Sequence, residues 1–255
     1  MKLLIAIPSK GRPYKCKTYK WLSKCNLPAN VDYRFIVEPQ ERIYYEQSIG
    51  KEKLLTLKEN DKGYAYAIDE GHKYAKENSY DIIWQMDDDV LAFIDKRAKA
   101  KHTSEVFEKI VVDLIDAFKH DDKLGIVRFL SQRAFYFIKN ELKRFVYKNQ
   151  GGWGNFLIRT KCYAMEQGWK THSDTMQHIK VWEQGYYTKT YGLAGINAEV
   201  YTNEGGYQML NRKHLTEETL KYLKKDYPLM EWQESNNTLG YDIKTDMYRP
   251  KKEKL

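Results

Sequence analysis

The sequence predicts an α/β fold with a largely parallel sheet and flanking helices. Three observations lead there. Short unbroken apolar runs stop at polar turns, helical patterns separate those runs, and the residues with most chemical promise fall where the runs end. An unbroken apolar run reads as a strand covered on both faces, as in parallel sheets.

The first run, Leu3 to Ile7, is broken by Pro8-Ser9-Lys10-Gly11-Arg12-Pro13. A helix containing Tyr19 and Trp21-Leu22 follows. The next strand, Tyr33 to Val37, stops at Glu38-Pro39, and Leu54 to Leu57 is a third, shorter one. Tyr64 to Ala75 is an amphipathic helix, because Ala67, Ile68, Gly71 and Ala75 recur at helical spacing. Tyr80 to Met86 is a strand that runs straight into Asp87-Asp88-Asp89. Strands alternating with helices imply βαβ units, in which ligands bind beyond the carboxyl ends of the strands.

Farther on, Glu105 to Lys119 forms a helix with one apolar face, and Ile126 to Leu130 and Ala134 to Ile138 read as paired strands. The glycine-rich turn Gly151-Gly152-Trp153-Gly154 precedes a strand from Asn155 to Arg159. A helix starts near Asp174 and ends at Gly185. After Thr216 one more helix leads to a lysine-rich end expected to be partly disordered. There is no internal repeat. We expect one domain, with residues 1–100 as the nucleotide-binding half, 101–215 completing the site, and 216–255 as a helix and basic tail.

A chain of 255 residues buries enough apolar surface to fold without staples. Its 42% hydrophobic and 31% charged content reads as soluble and globular. Cys16, Cys25 and Cys162 form no CxxC pair, and their odd number argues against a disulfide framework, so a reducing cytoplasm is expected. The Leu3 to Ile7 run is too short for a secretory leader, and no segment approaches the roughly 20 apolar residues that cross a bilayer. The formal charge of +8, with 21 tyrosines and 6 tryptophans, suits a polyanionic partner. It equally suits a solvated surface that helps hold a nucleotide diphosphate.

Asp87-Asp88-Asp89 is the strongest motif. Adjacent carboxylates repel and are costly to desolvate unless a cation neutralises them. On an extended chain Asp87 and Asp89 point one way and Asp88 the other, so the first and third form the chelating pair. Hard oxygen ligands select Mg²⁺ or Mn²⁺, bound through one or two carboxylates plus phosphates and water. The plain alternative is an acidic turn in solvent. In the first turn, Lys10, Arg12 and the amides freed by Gly11 can cradle a diphosphate, or simply stand exposed. The turn is not a Walker A loop, and GxGxxG is absent.

Asp174, in Thr171-His172-Ser173-Asp174-Thr175, reads as a helix cap or as a general base. His178, one turn on, reads as packing. Gly152 and Trp153 read as a tight turn with a core tryptophan, or as a close backbone approach with a flat face for a sugar or base.

These residues resemble those of GT-A glycosyltransferases. The resemblance rests on Ile7-Pro8-Ser9-Lys10-Gly11-Arg12-Pro13, Val37-Glu38-Pro39 and Gln85-Met86-Asp87-Asp88-Asp89-Val90. Within that group the chain is similar to the TET-associated and phage DNA glycosyltransferases, which modify 5-hydroxymethylpyrimidines in DNA. The Ser173-Asp174 segment, with Gln177 and Gly185 downstream, resembles the motif supplying the base in inverting members, although a Glu-Asp pair is expected there. His214 is the one C-terminal histidine offered as a third metal ligand.

The resemblance implies a Rossmann-like GT-A fold with a mostly parallel sheet, flanking helices and a smaller acceptor-side sheet. It implies a UDP-sugar donor held by Pro8, Ser9, Lys10, Arg12, Glu38, Asp87 and Asp88, with Mn²⁺ or Mg²⁺ on Asp87 and Asp89. Asp174 would be the base, and Gly152 and Trp153 would meet the acceptor, double-stranded DNA carrying hydroxymethylated pyrimidines. The chain would act as a monomer in the host cytoplasm of a bacteriophage, without a membrane. Three other readings stay open: a polysaccharide or protein acceptor, a metal-dependent nuclease, and a nonenzymatic DNA-binding module.

Overall fold

The computed structural model describes residues 1–95, 103–137, 143–150, 154–164, 169, 172–198, 212–234, 241–244, 248 and 250–255. The first half alternates as expected: β1 (Leu3–Pro8), α1 (Lys17–Leu22), β2 (Val31–Val37), α2 (Arg42–Ser48), β3 (Leu54–Thr56), α3 (Tyr64–Glu77) and β4 (Ile82–Gln85). The chain continues through β5 (Val90–Asp95), α4 (Thr103–His120), β6 (Leu124–Ser131), α5 (Gln132–Tyr136), β7 (Phe145–Lys148) and β8 (Phe156–Arg159). It closes with α6 (Ser173–Glu183), β9 (Tyr187–Ala198), α7 (Arg212–Leu223), β10 (Glu231–Glu234), β11 (Tyr241–Lys244) and β12 (Glu253–Lys254). No described helix is long and apolar enough to cross a membrane.

The main sheet has the order β12-β7-β9-β6-β8-β4-β1-β2-β3, with β5 pairing with β9. β1, β2, β3 and β4 are mutually parallel, and β6 is parallel to β9. β8 runs antiparallel to both β4 and β6, so β4 and β6 end at the same edge. β10 and β11 form a separate two-stranded sheet.

Alternation along the strands builds two apolar layers. Leu3, Ile5, Ile7, Ile82 and Trp84 face one side with Phe107 and Leu114 of α4. Leu4, Ala6 and Ile83 face the other with Ala67 and Ala75 of α3. Gly71 permits the approach of α3, since a Cβ there would lie 2.6 Å from Ile36 Cδ1. On the first side Trp84 stacks on Phe129 at 5.1 Å and meets Phe93 edge-on at 5.6 Å. These aromatic contacts fix the strand that carries the aspartates.

One expectation is corrected. The stretch from Ala134, read as a strand paired with Ile126 to Leu130, is helix α5 where it is described. Ser131 caps it by accepting from the Ala134 amide at 3.3 Å, and Phe135 is its buried residue. Consecutive apolar residues imitated a strand, whereas a one-sided helix needs only Phe135 inside. Within the lysine-rich end, Glu253 and Lys254 form β12 at the edge beside β7.

Replacing Trp84 by Ala removes the centre of the aromatic layer and is expected to cost about 3–5 kcal/mol. Urea unfolding of the two proteins measures it.

Candidate active site

The three aspartates lie just beyond β4, in the link to β5. Gln85 lies on the α3 and α6 side, bonded at 2.9 Å to His72 and at 2.7 Å to Gln177. Asp88 falls on the opposite side and is 6% exposed. There Arg12 donates to its Oδ1 at 2.6 Å and Ser9 donates to its Oδ2 at 2.5 Å. The Ser9 hydroxyl also pairs with the Tyr45 hydroxyl at 2.7 Å, which accepts from the Arg12 amide at 3.1 Å. Ser9, Arg12 and Asp88 are therefore brought into contact with one another. Burial raises the Asp88 carboxyl, opposed by Arg12 and Ser9.

Asp87 takes the other direction. Its Oδ2 accepts from the Asn155 side-chain amide at 2.8 Å, and its own amide donates to Asn155 Oδ1 at 2.9 Å. Asn155 adopts φ +66°, a left-handed conformation that asparagine tolerates. Gly154 beside it leaves room, since a Cβ there would lie 3.4 Å from Asp87 Oδ2. Burial, then Asp89, then Asp88 push the Asp87 carboxyl up to about 7, against the Asn155 hydrogen bond, and Asp174 adds to the rise.

Two residues missed in the sequence complete this geometry. Thr18, at the start of α1, donates to the Asp87 carbonyl at 2.7 Å, and its hydroxyl accepts the Val90 amide at 3.1 Å. The Thr18 amide donates to the Asp88 carbonyl at 3.1 Å, so the aspartate turn is held from outside its own strand. Tyr64, the first residue of α3, has its phenol raised well above the usual value by burial and then by Asp87, Asp174 and Asp89. The one clue in the sequence was its place after β3, at the edge where ligands bind.

Asp174 lies in the first turn of α6, with His172 rather than Asp174 or Ser173 at the cap position. Its Oδ1 accepts the Thr175 amide at 2.8 Å. Arg128 of β6 lies beneath, 7% exposed, level in the sheet with Phe156 and Gln85. Burial lowers its guanidinium to about 10, and Asp174 opposes that fall. His178 is buried packing: its Nδ1 lies 2.7 Å from the Asp174 carbonyl and its ring meets Phe156 edge-on at 5.1 Å. Burial lowers it to about 4.

Pro8 ends β1, and Lys10 reaches from the same turn to Glu38 at 2.9 Å and to Asp61. Glu38 also accepts from Gln40 at 2.7 Å and from the Asp61 amide at 3.0 Å. Gly152 and Trp153 lie outside the described residues, as do Gly151 and Glu204-Gly205-Gly206. His214 is exposed on α7, 3.6 Å from Glu218.

The donor set suits a hard divalent cation. Among the described residues no three His, Cys, Asp or Glu side chains converge as a metal cage. Mg²⁺ and Mn²⁺ do not need one where substrate phosphates and water fill the sphere. The pressure that lifts Asp87 comes from burial and neighbouring negative charge, and a cation would relieve it.

Solved structures share this architecture. The mannosyltransferase PcManGT of Pyrobaculum calidifontis, in complex with GDP-Man and Mn²⁺, is similar over 88% of this chain and 64% of its own, with 14% identity and a TM-score of 0.57. GalNAc-T7 with UDP, GalNAc and Mn²⁺ is similar over 89% and 50%, with 11% identity and a TM-score of 0.55. The chain thus spans 64% and 50% of the length of these two neighbours. The fold is that of the GT-A nucleotide-sugar transferases.

The sequence narrows the class. The family profile of the TET-Associated Glycosyltransferases matches residues 3–198, and the chain belongs to that family. It is a glycosyltransferase. No curated protein sequence matches it.

Two outcomes follow from the electrostatics. Arg12→Ala leaves Asp88 buried without its cation and is expected to cost about 3 kcal/mol. Asp89→Asn, which removes a charge raising Asp87, is not expected to lower stability; urea titration of both variants checks this. The depressed His178 contributes stability that is full above its ordinary value of 6.5 and is lost as pH falls through about 4. The stability advantage of the wild type over His178→Leu should therefore shrink across that window, read from melting temperatures.

Proposed function

We propose that this protein moves a sugar from a UDP-sugar to the hydroxymethyl oxygen of 5-hydroxymethylcytosine in double-stranded, bacteriophage-type DNA, with inversion. The supporting observation is the placing of Asp87 and Asp89 just beyond the carboxyl end of β4, with Asp87 buried, held by Asn155 and raised by burial and neighbouring carboxylates. Family membership supplies the reaction class, and the +8 charge suits a polyanionic acceptor.

In this reading Asp87 and Asp89 hold Mn²⁺ or Mg²⁺, which when bound supplies positive charge against the departing diphosphate. The turn from Pro8 to Arg12 frames the nucleotide, with Lys10 and Glu38 at its edge. Ser9 and Arg12 serve it by fixing Asp88, and thereby the direction of the other two aspartates. Asn155 and Thr18 hold Asp87 in place from its side chain and its carbonyl. Asp174 accepts the hydroxymethyl proton as the acceptor oxygen bonds to the anomeric carbon. The bond from that carbon to the diphosphate oxygen breaks, and UDP carries the electron pair away. Tyr64 has a hydroxyl to offer the donor or acceptor. Gly152 and Trp153 are assigned to the acceptor side.

A base inside a duplex must leave the stack to reach such a site. The proposed setting is the cytoplasm, with the protein a monomer, and the three cysteines are free thiols there.

The test is incubation with hydroxymethylcytosine DNA, a panel of UDP-sugars and Mn²⁺, followed by nucleoside mass analysis. A hexose or pentose mass gain is expected. Asp174→Asn should reduce its rate by roughly 100- to 10,000-fold, the usual worth of a positioned base. No gain with any donor would remove DNA as the acceptor, and a gain surviving Asp89→Ala would remove the metal pair.

A further inference from the structure

The short helix α5 presents a feature that catalysis at the aspartates does not use. Tyr136 and Phe137 are 60% and 77% exposed, although each would be more stable covered. Arg133 is exposed on the same helix and makes no ion pair among the described residues. Arg133, Tyr136 and Phe137 stand at i, i+3 and i+4, and residues at that spacing share one face. Phe137 continues the helical backbone as its C-cap.

The opposite face is anchored. Phe135 is fully buried with Leu130 and Val146, and Ile94 packs against them. Its seat is Gly195 of β9, where a Cβ would lie 2.7 Å from Phe135 Cβ and 2.8 Å from Cγ. Ser131 caps the other end through the Ala134 amide. The exposed aromatic pair therefore stands on a fixed base.

Its location relates it to the candidate site. Gln85, Phe156 and Arg128 lie side by side across β4, β8 and β6. Leu130 is two residues beyond Arg128, as Asp87 is two residues beyond Gln85. α5 thus springs from the edge that carries the aspartates, two strand spacings or about 10 Å across the sheet.

We propose that Arg133, Tyr136 and Phe137 form a contact surface for the polynucleotide acceptor, the rings stacking on a base and the guanidinium meeting a phosphate. The inference rests on the DNA reading above and adds the surface that would receive the strand. Aromatic faces accept any base, and a nearby cation with no ion pair among the described residues suits the backbone. The net charge of +8 favours a polyanion over a neutral glycan, and the exposed rings favour bases over an acidic protein surface.

The experiment titrates a fluorescein-labelled duplex containing 5-hydroxymethylcytosine into the full chain and follows anisotropy at several salt concentrations. Tyr136→Ala with Phe137→Ala should weaken binding about 10-fold or more, given the usual worth of a stacked base. Tyr136→Trp with Phe137→Trp should retain it. Arg133→Gln should reduce the slope of log affinity against log salt by about 0.9, one phosphate contact. Melting temperatures equal to wild type confirm that the variants fold. If wild type binds and glycosylates this DNA while the alanine pair binds equally well, the surface is wrong and the DNA reading survives. If wild type neither binds nor modifies DNA, the acceptor reading fails first and this surface fails with it.

Discussion

Three consecutive carboxylates cannot all enter a buried site in the same direction without mutual repulsion that no fold sustains cheaply. This chain divides them. Arg12 and Ser9 take both oxygens of Asp88 into the protein, on the side where Tyr45 is buried. That clasp joins the turn after β1 to the turn after β4, two strands that are paired in parallel. Asp87 takes a different partner, the side-chain amide of Asn155. The proposed donor pair thus depends on a residue that is itself occupied by protein.

The rest of the site follows from the same geometry. β4 carries Gln85 into a hydrogen-bonded row with His72 of α3 and Gln177 of α6, locking both helices against the strand. Tyr64 and Asp174 stand in the first turns of those two helices. Behind this lies the aromatic layer of Trp84, Phe93, Phe107 and Phe129, which keeps β4 from shifting. A rigid strand with a divided acidic run gives a preorganised site, and preorganised charge is where much of catalysis resides.

Much of this was legible in the sequence, for a physical reason. Leu3 to Ile7 is apolar without interruption and Ile82 to Met86 is broken only by Gln85, because helices cover both sides, so strand ends and reactive turns could be read directly. The proposed pairing of Asp87 with Asp89 was argued from the period of an extended chain, whereas Asp88 and Asp89 stand in a turn and Arg12 lies 4.0 Å from Asp89 as well as 2.6 Å from Asp88. What could not be read were contacts between distant segments: Thr18 bonding the aspartate turn, Asn155 clasping Asp87, and Arg128 lying under Asp174. Each depends on sheet order, which local pattern does not encode. The stretch from Ala134 misled because consecutive apolar residues fit a covered strand as well as an exposed helix. Its exposed aromatics became visible only once Phe135 was found to be the buried residue.

Family membership gives the chemistry of sugar transfer, and the proposal gives it a direction: donor at the aspartates, acceptor proton at Asp174. The central claim is that the clasp on Asp88 leaves Asp87 and Asp89 to hold the cation. Crystals grown with UDP and Mn²⁺, measured at the manganese absorption edge, test it most directly. The account predicts one anomalous peak touching the carboxylates of Asp87 and Asp89, with Arg12 still bonded to Asp88. A peak on Asp88 with Arg12 displaced, or UDP bound with no manganese at this turn, would contradict it.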